Sequence, residues 1–162
     1  MFCKLILTAN MTQNGLGILL KFLRKNPEAI ICAYPEYDES APKHRVNGRT
    51  IANAWIHTVT LSKQIKDGMI GFRIYPVAPY VKLLNSHVII DARMGYDIDI
   101  LVRLFWKNVP VICESVKVTY PVDGVSNFRL VRDNARISLT YARLFLGMIV
   151  RLPILIFRKI KG

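Results

Sequence analysis

The chain has 162 residues, with 23 Lys+Arg against 11 Asp+Glu, a formal net charge of +12 and a hydrophobic fraction of 52%. That length can bury a core without disulfide staples, and so much apolar content excludes a disordered basic tail. A balance this basic points to an anionic partner: nucleic acid, anionic lipid or a phosphorylated substrate.

Residues 1–8 read as a strand with Phe2, Leu5, Ile6 and Leu7 as its apolar content. A polar break at residues 9–15 is followed by a helix over residues 16–25, where Ile18, Leu19, Phe22 and Leu23 sit at helical spacing and Asn26-Pro27 stops it. Residues 28–34 form a short buried strand, completing a β-loop-α-β unit of the α/β kind. Residues 35–48 are a polar, basic loop. From residue 49 to 66 the period is helical, with Ile51, Ala54, Trp55, Val59 and Ile65 at three- or four-residue steps. Residues 67–77 read as loop then strand, 94–106 as a second helix and 109–122 as a strand of alternating, β-branched text. From residue 126 onward a helix is expected, interrupted at Gly147 and Pro153. There is no internal repeat or linker, so the chain reads as one domain.

The charge is unevenly placed. Residues 129–162 hold Arg129, Arg132, Arg136, Arg143, Arg151, Arg158, Lys159 and Lys161 against Asp133 alone, within the most apolar text of the chain. Cations spaced through aliphatic and aromatic residues suit a bilayer surface better than nucleic acid, where the spacing residues are usually polar. The alternative is a buried C-terminal helix with arginines at its rim. No run of about 18 uninterrupted apolar residues exists, so a simple transmembrane span is not expected. The first ten residues lack a secretory h-region and cleavage site. Cys3, Cys32 and Cys113 are odd in number and lack CxxC spacing, which argues for reduced packing residues rather than a disulfide framework or a zinc site.

Candidate chemistry lies in three polar clusters. Residues 9–14 follow the first strand, at the edge where open α/β sheets bind ligands, but offer only amides and a hydroxyl. Asp67, followed by a Gly-containing loop and Arg73, can set a base beside an anion clamp or cap a turn. Asp97 and Asp99 lie on different sides of a helix start, where they complement the helix dipole, and Asp91 could pair with Arg93. His44, His57 and His87 are scattered, without ligand neighbours at metal spacing. No hydrolase elbow, P-loop or dinucleotide fingerprint is present.

Several segments together resemble glycosyltransferase family 2. They are Tyr37-Asp38-Glu39-Ser40 with Lys43 and Arg45, Gly48-Arg49, Asp67-Gly68-Met69 with Gly71-Phe72-Arg73, Tyr75-Pro76, Asp97 and Asp99 with Arg103, and Thr119-Tyr120-Pro121 with Asp123-Gly124. Their order and spacing are similar to the dolichyl-phosphate sugar transferase branch. More narrowly they resemble bacterial members encoded beside, or fused to, lysophospholipid-type acyltransferases, to which the tail around Arg132, Asp133, Asn134 and Arg143 also corresponds. The resemblance implies a GT-A (Rossmann-like) α/β fold, an inverting transfer from a nucleotide sugar to a lipid-phosphate or other lipid acceptor, and a divalent cation, Mg²⁺ or Mn²⁺. By the same resemblance Gln13 falls on the donor or metal side and Lys43, Arg45, Arg49 and Arg73 bind the acceptor. Asp67 shapes the acceptor pocket, and Asp99 is the general-base candidate.

Ala9-Asn10-Met11 stand where the family carries its DxD metal motif, so those two carboxylates are absent. The family's first, nucleotide-binding half has no counterpart in the chain. The expectation is therefore an incomplete GT-A sheet. Residues 1–128 would be the acceptor-side part and residues 129–162 a basic amphipathic helical tail facing the membrane. The implied protein is cytoplasmic, peripheral to the inner membrane, not a nucleic-acid binder, and impaired without a donor-half partner chain. The alternative is a non-catalytic membrane or lipid-phosphate binding protein, or a decayed gene fragment.

Overall fold

Ile30, Ile31, Cys32 and Ala33 are all fully buried, as a strand covered on both faces requires. In the computed structural model, which describes residues 3–6, 13–36, 43–91, 95–117 and 130–161, they lie in strand β2 (Ile30–Glu36) of a 4-stranded sheet. The other strands are β1 (Cys3–Ile6), β3 (Arg73–Pro76) and β4 (Val111–Lys117), in the spatial order β1-β3-β2-β4. β2 and β4 are parallel, from Ile30 opposite Val111 to Glu36 opposite Lys117, whereas β3 is antiparallel to β1 and to β2. The helices among the described residues are α1 (Gln13–Lys25), α2 (Lys43–Thr60), α3 (Val77–Leu84), α4 (Tyr96–Trp106) and α5 (Leu130–Lys161).

Alternation along the strands splits the interior into two cores. Ile31, Ala33, Phe72 and Ile74 join Leu19 of α1 on one face of the sheet. Ile30, Cys32 and Tyr75 join Ile56 and Val59 of α2, nearly all of α4 and the inner side of α5 on the other. The result is a mixed α/β fold with helices on both faces of a mixed sheet. α4 is the central helix, with Ile98 through Val102 and Leu104 all buried. The Trp106 indole N–H at its end donates to Val59 O at 2.9 Å.

The structure corrects several element readings. The β-α-β unit expected over residues 1–34 is split, because β3 lies between β1 and β2. α2 starts at Lys43, inside the segment read as loop, and stops at Thr60. Leu61 takes a left-handed φ of 51° immediately after it, as residues ending helices often do. Val77, read as the end of a strand, opens helix α3, whose remaining residues 78–84 had no element assigned from the sequence. α5 runs unbroken through Gly147 and Pro153.

α5 packs through a stripe at alternating three- and four-residue steps: Ile137, Tyr141, Leu144, Met148, Arg151, Leu155 and Arg158. The aliphatic and tyrosine members are buried. Arg151 stacks over the Trp106 ring at 4.8 Å, and Arg158 Nη2 donates to Trp106 O at 3.0 Å, capping the carboxyl end of α4. Gly147 lets the indole approach, since a Cβ there would stand 3.0 Å from Trp106. The opposite side of α5 inverts the usual pattern of a surface helix. Leu139 (70% exposed), Leu146 (65%), Val150 (78%), Ile154 (57%) and Phe157 (65%) face outward. The charged residues within that length, Arg143 and Arg151, are both turned toward the body. Residues 131–161 are long and apolar enough to cross a membrane by length and composition, and 28% of the most apolar window is buried against the body.

Candidate functional site

Four of the sequence-singled residues gather where α2, the loop before β3 and the amino end of α4 meet. The loop after α2 folds back so that Asp67 is buried beneath Arg49. Asp67 Oδ2 accepts Arg49 Nη1 at 2.8 Å, while its Oδ1 accepts the backbone N–H groups of Met69 and Ile70 at 2.7 and 2.9 Å. Asp67 thus caps a turn and pairs with a cation at once. The next amide, Gly68 N–H, donates to Asn53 Oδ1 at 3.0 Å, tying the loop to α2.

Arg73 rises from β3 into this junction and is fully buried. Its Nη1 donates to Asp97 O at 3.0 Å and reaches Tyr75 Oη at 3.4 Å, while Nη2 reaches Asp67 O at 3.4 Å. Its Nε has no hydrogen-bond partner. The guanidinium therefore joins the Asp67 loop to the first turn of α4 through carbonyls. Burial holds the Tyr75 phenol above its ordinary pKa, with the Arg73 charge opposing that shift.

Asp99 sits two residues after Asp97 in the same first turn of α4, fully buried. Oδ1 accepts Arg103 Nε, one helical turn away. Oδ2 accepts Arg143 Nη2 of α5 at 2.8 Å and the Asp91 backbone N–H at 3.0 Å. Asp91 Oδ2 in turn accepts Thr140 Oγ1 of α5 at 2.6 Å. Gly95 is necessary at this crossing, because a Cβ there would overlap both Asp91 Oδ2 and Thr140 Oγ1. Arg103, Arg143, Asp91 and Thr140 were not assigned site roles from the sequence. The i,i+4 spacing of Asp99 and Arg103 was the available signal for one of them.

Chemically the cluster is satisfied from within except at the Nε atoms of Arg73 and Arg143. Arg49 pairs with the Asp67 carboxylate and both Arg103 and Arg143 with that of Asp99, while Arg73 is held by the backbone carbonyls of Asp67 and Asp97. A general base needs a lone pair within reach of the proton it takes. Here both oxygens of Asp67 and of Asp99 already accept hydrogen bonds. In this arrangement the aspartates lock three segments and α5 together.

Gln13 opens α1, in the layer on the other face of the sheet, and Lys43 and Arg45 lie in the first turn of α2. The side chains of those three lie outside the described part of the structure, as do residues 7–12, 37–42 and 118–129 and Arg93. Among the described residues no group of three or more His, Cys, Asp or Glu side chains could hold a metal ion. With Asp67 and Asp99 engaged by arginines and backbone amides, the described residues do not fit the divalent cation that the glycosyltransferase resemblance implies.

Cys32 and Cys113 are directly opposite in the parallel pair β2–β4. Cys32 is buried and Cys113 is half-buried, both as free thiols. The Cys32 thiol donating to Cys113 brings the Cys113 pKa down to about 7, assisted by the Lys66 backbone N–H, while burial opposes this. The chain matches no protein-family model, no curated protein and no solved structure.

Proposed function

We propose that this protein is a peripheral membrane-surface module with the acceptor-side frame of a family 2 glycosyltransferase, holding a lipid-linked acceptor and lacking transfer activity as an isolated chain. The observation that carries the membrane part is the outward face of α5, apolar from Leu139 to Phe157 and flanked by exposed Arg132, Lys159 and Lys161. Over those residues the face is about 28 Å long at 1.5 Å per residue, a span suited to lying along the headgroup boundary. Ile51 and Trp55 of α2 extend it sideways, with the Trp55 ring stacked 6.1 Å from Tyr141. The glycosyltransferase part rests on the sequence resemblance, and is supported by the convergence of Arg49, the Asp67 to Arg73 loop, Asp99 and Arg143 on one junction. The engaged carboxylates there support binding and scaffolding over proton transfer.

Vesicle flotation tests the membrane part. Wild-type chain should float with bilayers, and the triple variant L146Q/V150Q/F157Q should lose about 3 kcal/mol, roughly a hundredfold in partitioning, at about 1 kcal/mol for each exposed apolar group. These positions are outward, so the fold should persist in circular dichroism. Equal flotation of the variant overturns the membrane reading. Sugar-nucleotide hydrolysis and transfer assays test the rest: clear turnover by the isolated chain overturns the inactive reading.

A further inference from the structure

At the opposite end of α4, about 10 Å along its axis from Asp99 at 1.5 Å per residue, a cleft of about 900 Å³ opens between the loop after α2, the start of β4 and the last turns of α5. Phe105, Val111 and Leu155 form its apolar floor, and Lys63, Arg158 and Lys159 line its rim. No carboxylate lines it among the described residues. Three helices end here, α2, α4 and α5, and each carboxyl terminus brings roughly half a negative charge. Arg158 answers part of that by donating to Phe105 O and Trp106 O at 3.4 and 3.0 Å. Three cations against about one and a half units of helix-end charge leave roughly one and a half positive charges over the cavity. The His57 ring nitrogen is held at 2.9 Å by Ile65 O, so this side chain is fixed as part of the wall. Ile154, one helical turn before Arg158, borders the rim, and from it the outward apolar face of α5 continues round the helix to Phe157 and Ile160, which are 65% and 80% exposed.

A ligand that satisfies both features carries a phosphate at one end and hydrocarbon at the other. We propose that this cleft seats the headgroup phosphate of an anionic phospholipid, between Lys63, Lys159 and the free N–H groups of Arg158, with the acyl chains leaving past Ile154 toward the outward face of α5. The site is separate from the Asp99 junction, and the assignment rests on the membrane-surface reading of α5. It makes the protein selective for anionic bilayers through one seat as well as through diffuse charge.

The test compares flotation of the full chain on phosphatidylcholine vesicles with and without phosphatidylglycerol. Two double variants remove equal charge: K63Q/K159Q in the cleft, and K21Q/R24Q on α1, on the other face of the sheet. Each lysine or arginine near an anionic surface contributes roughly fivefold, so the cleft pair should lose at least about tenfold in the phosphatidylglycerol-dependent binding while the α1 pair keeps it. K63R/K159R should restore it. Equal loss from both pairs means diffuse attraction and overturns the cleft assignment alone. Failure of wild-type chain to float on either vesicle overturns the membrane reading beneath it. Inorganic phosphate that displaces the chain as well as phosphatidylglycerol vesicles do, at equal phosphate concentration, overturns the lipid as the source of the phosphate.

Discussion

Replacing Asp99 by Asn is the sharpest probe of how α5 is held. The two side chains have the same shape, but Asn carries no charge and presents one oxygen where Asp presents two. Three donors converge on the carboxylate: Arg103 Nε, Arg143 Nη2 and the Asp91 amide. An Asn must point its NH₂ at one or more of them. Removing one member of a buried ion pair costs about 3–5 kcal/mol. The Arg143 side chain is 33% exposed and Arg103 11%, so solvent screens part of the loss. The expected destabilisation is about 3 kcal/mol, or 6–12 °C in Tm for a chain of this size. The assay is urea unfolding followed by tryptophan fluorescence, which reports Trp106 at the α4–α5 contact. Arg143→Met should cost less, about 1 kcal/mol, because Asp99 retains Arg103 and the Asp91 amide. A D99N variant within about 0.5 kcal/mol of wild type would refute the view that Asp99 anchors α5.

Three further outcomes are expected. Gly95→Ala should destabilise by about 2 kcal/mol in the same urea assay, because its methyl displaces the Thr140–Asp91 hydrogen bond, and an unchanged midpoint would contradict that geometry. Alkylation of Cys113 should rise with pH as its thiolate forms, with a midpoint at about 7; Cys32→Ala should move that midpoint upward by removing the thiol that donates to it. Rates of iodoacetamide labelling across pH read both. Arg158→Ala should cost about 1–2 kcal/mol by leaving the last carbonyls of α4 uncapped, measured by the thermal midpoint.

The apolar text of residues 30–33 and the buried helix over residues 96–106 were legible because hydrophobic period alone specifies them. Sheet order was not. β3 is four residues long with an arginine at its start, and nothing in its pattern says which neighbour it pairs with. α3 was missed because the strand reading stopped at Val77 and left residues 78–84 unassigned, although Pro79 in the first turn is a helix-start signal. Gly147 and Pro153 are weak helix residues, and packing of α5 against α4 overrides their propensity. The tail arginines illustrate the main loss. Counted as surface charge from composition, Arg143, Arg151 and Arg158 instead point to Asp99, Trp106 and the end of α4. Their signal was the seven-residue step from Ile137 and Leu144 to Arg151 and Arg158, which places the later arginines on the packed side. Asp67, Asp99, Arg49 and Arg73 were legible as polar residues worth singling out, but their contacts depend on a three-dimensional meeting that spacing does not encode.

The three arginine contacts of α5 fall at successive points along its length, and that has a mechanical consequence. A helix fastened at Asp99, at Trp106 and at the carboxyl end of α4 cannot pivot about one joint, so it acts as a keel rigidly fixed to the hull. If the keel rests on lipid, the draught of the whole protein is set. The layer of α2 and α4 then rides about one interaxial spacing, 8–10 Å, above α5. Whatever that layer engages must come up from the bilayer by that height, which an extended lipid headgroup can do and an acyl chain need not.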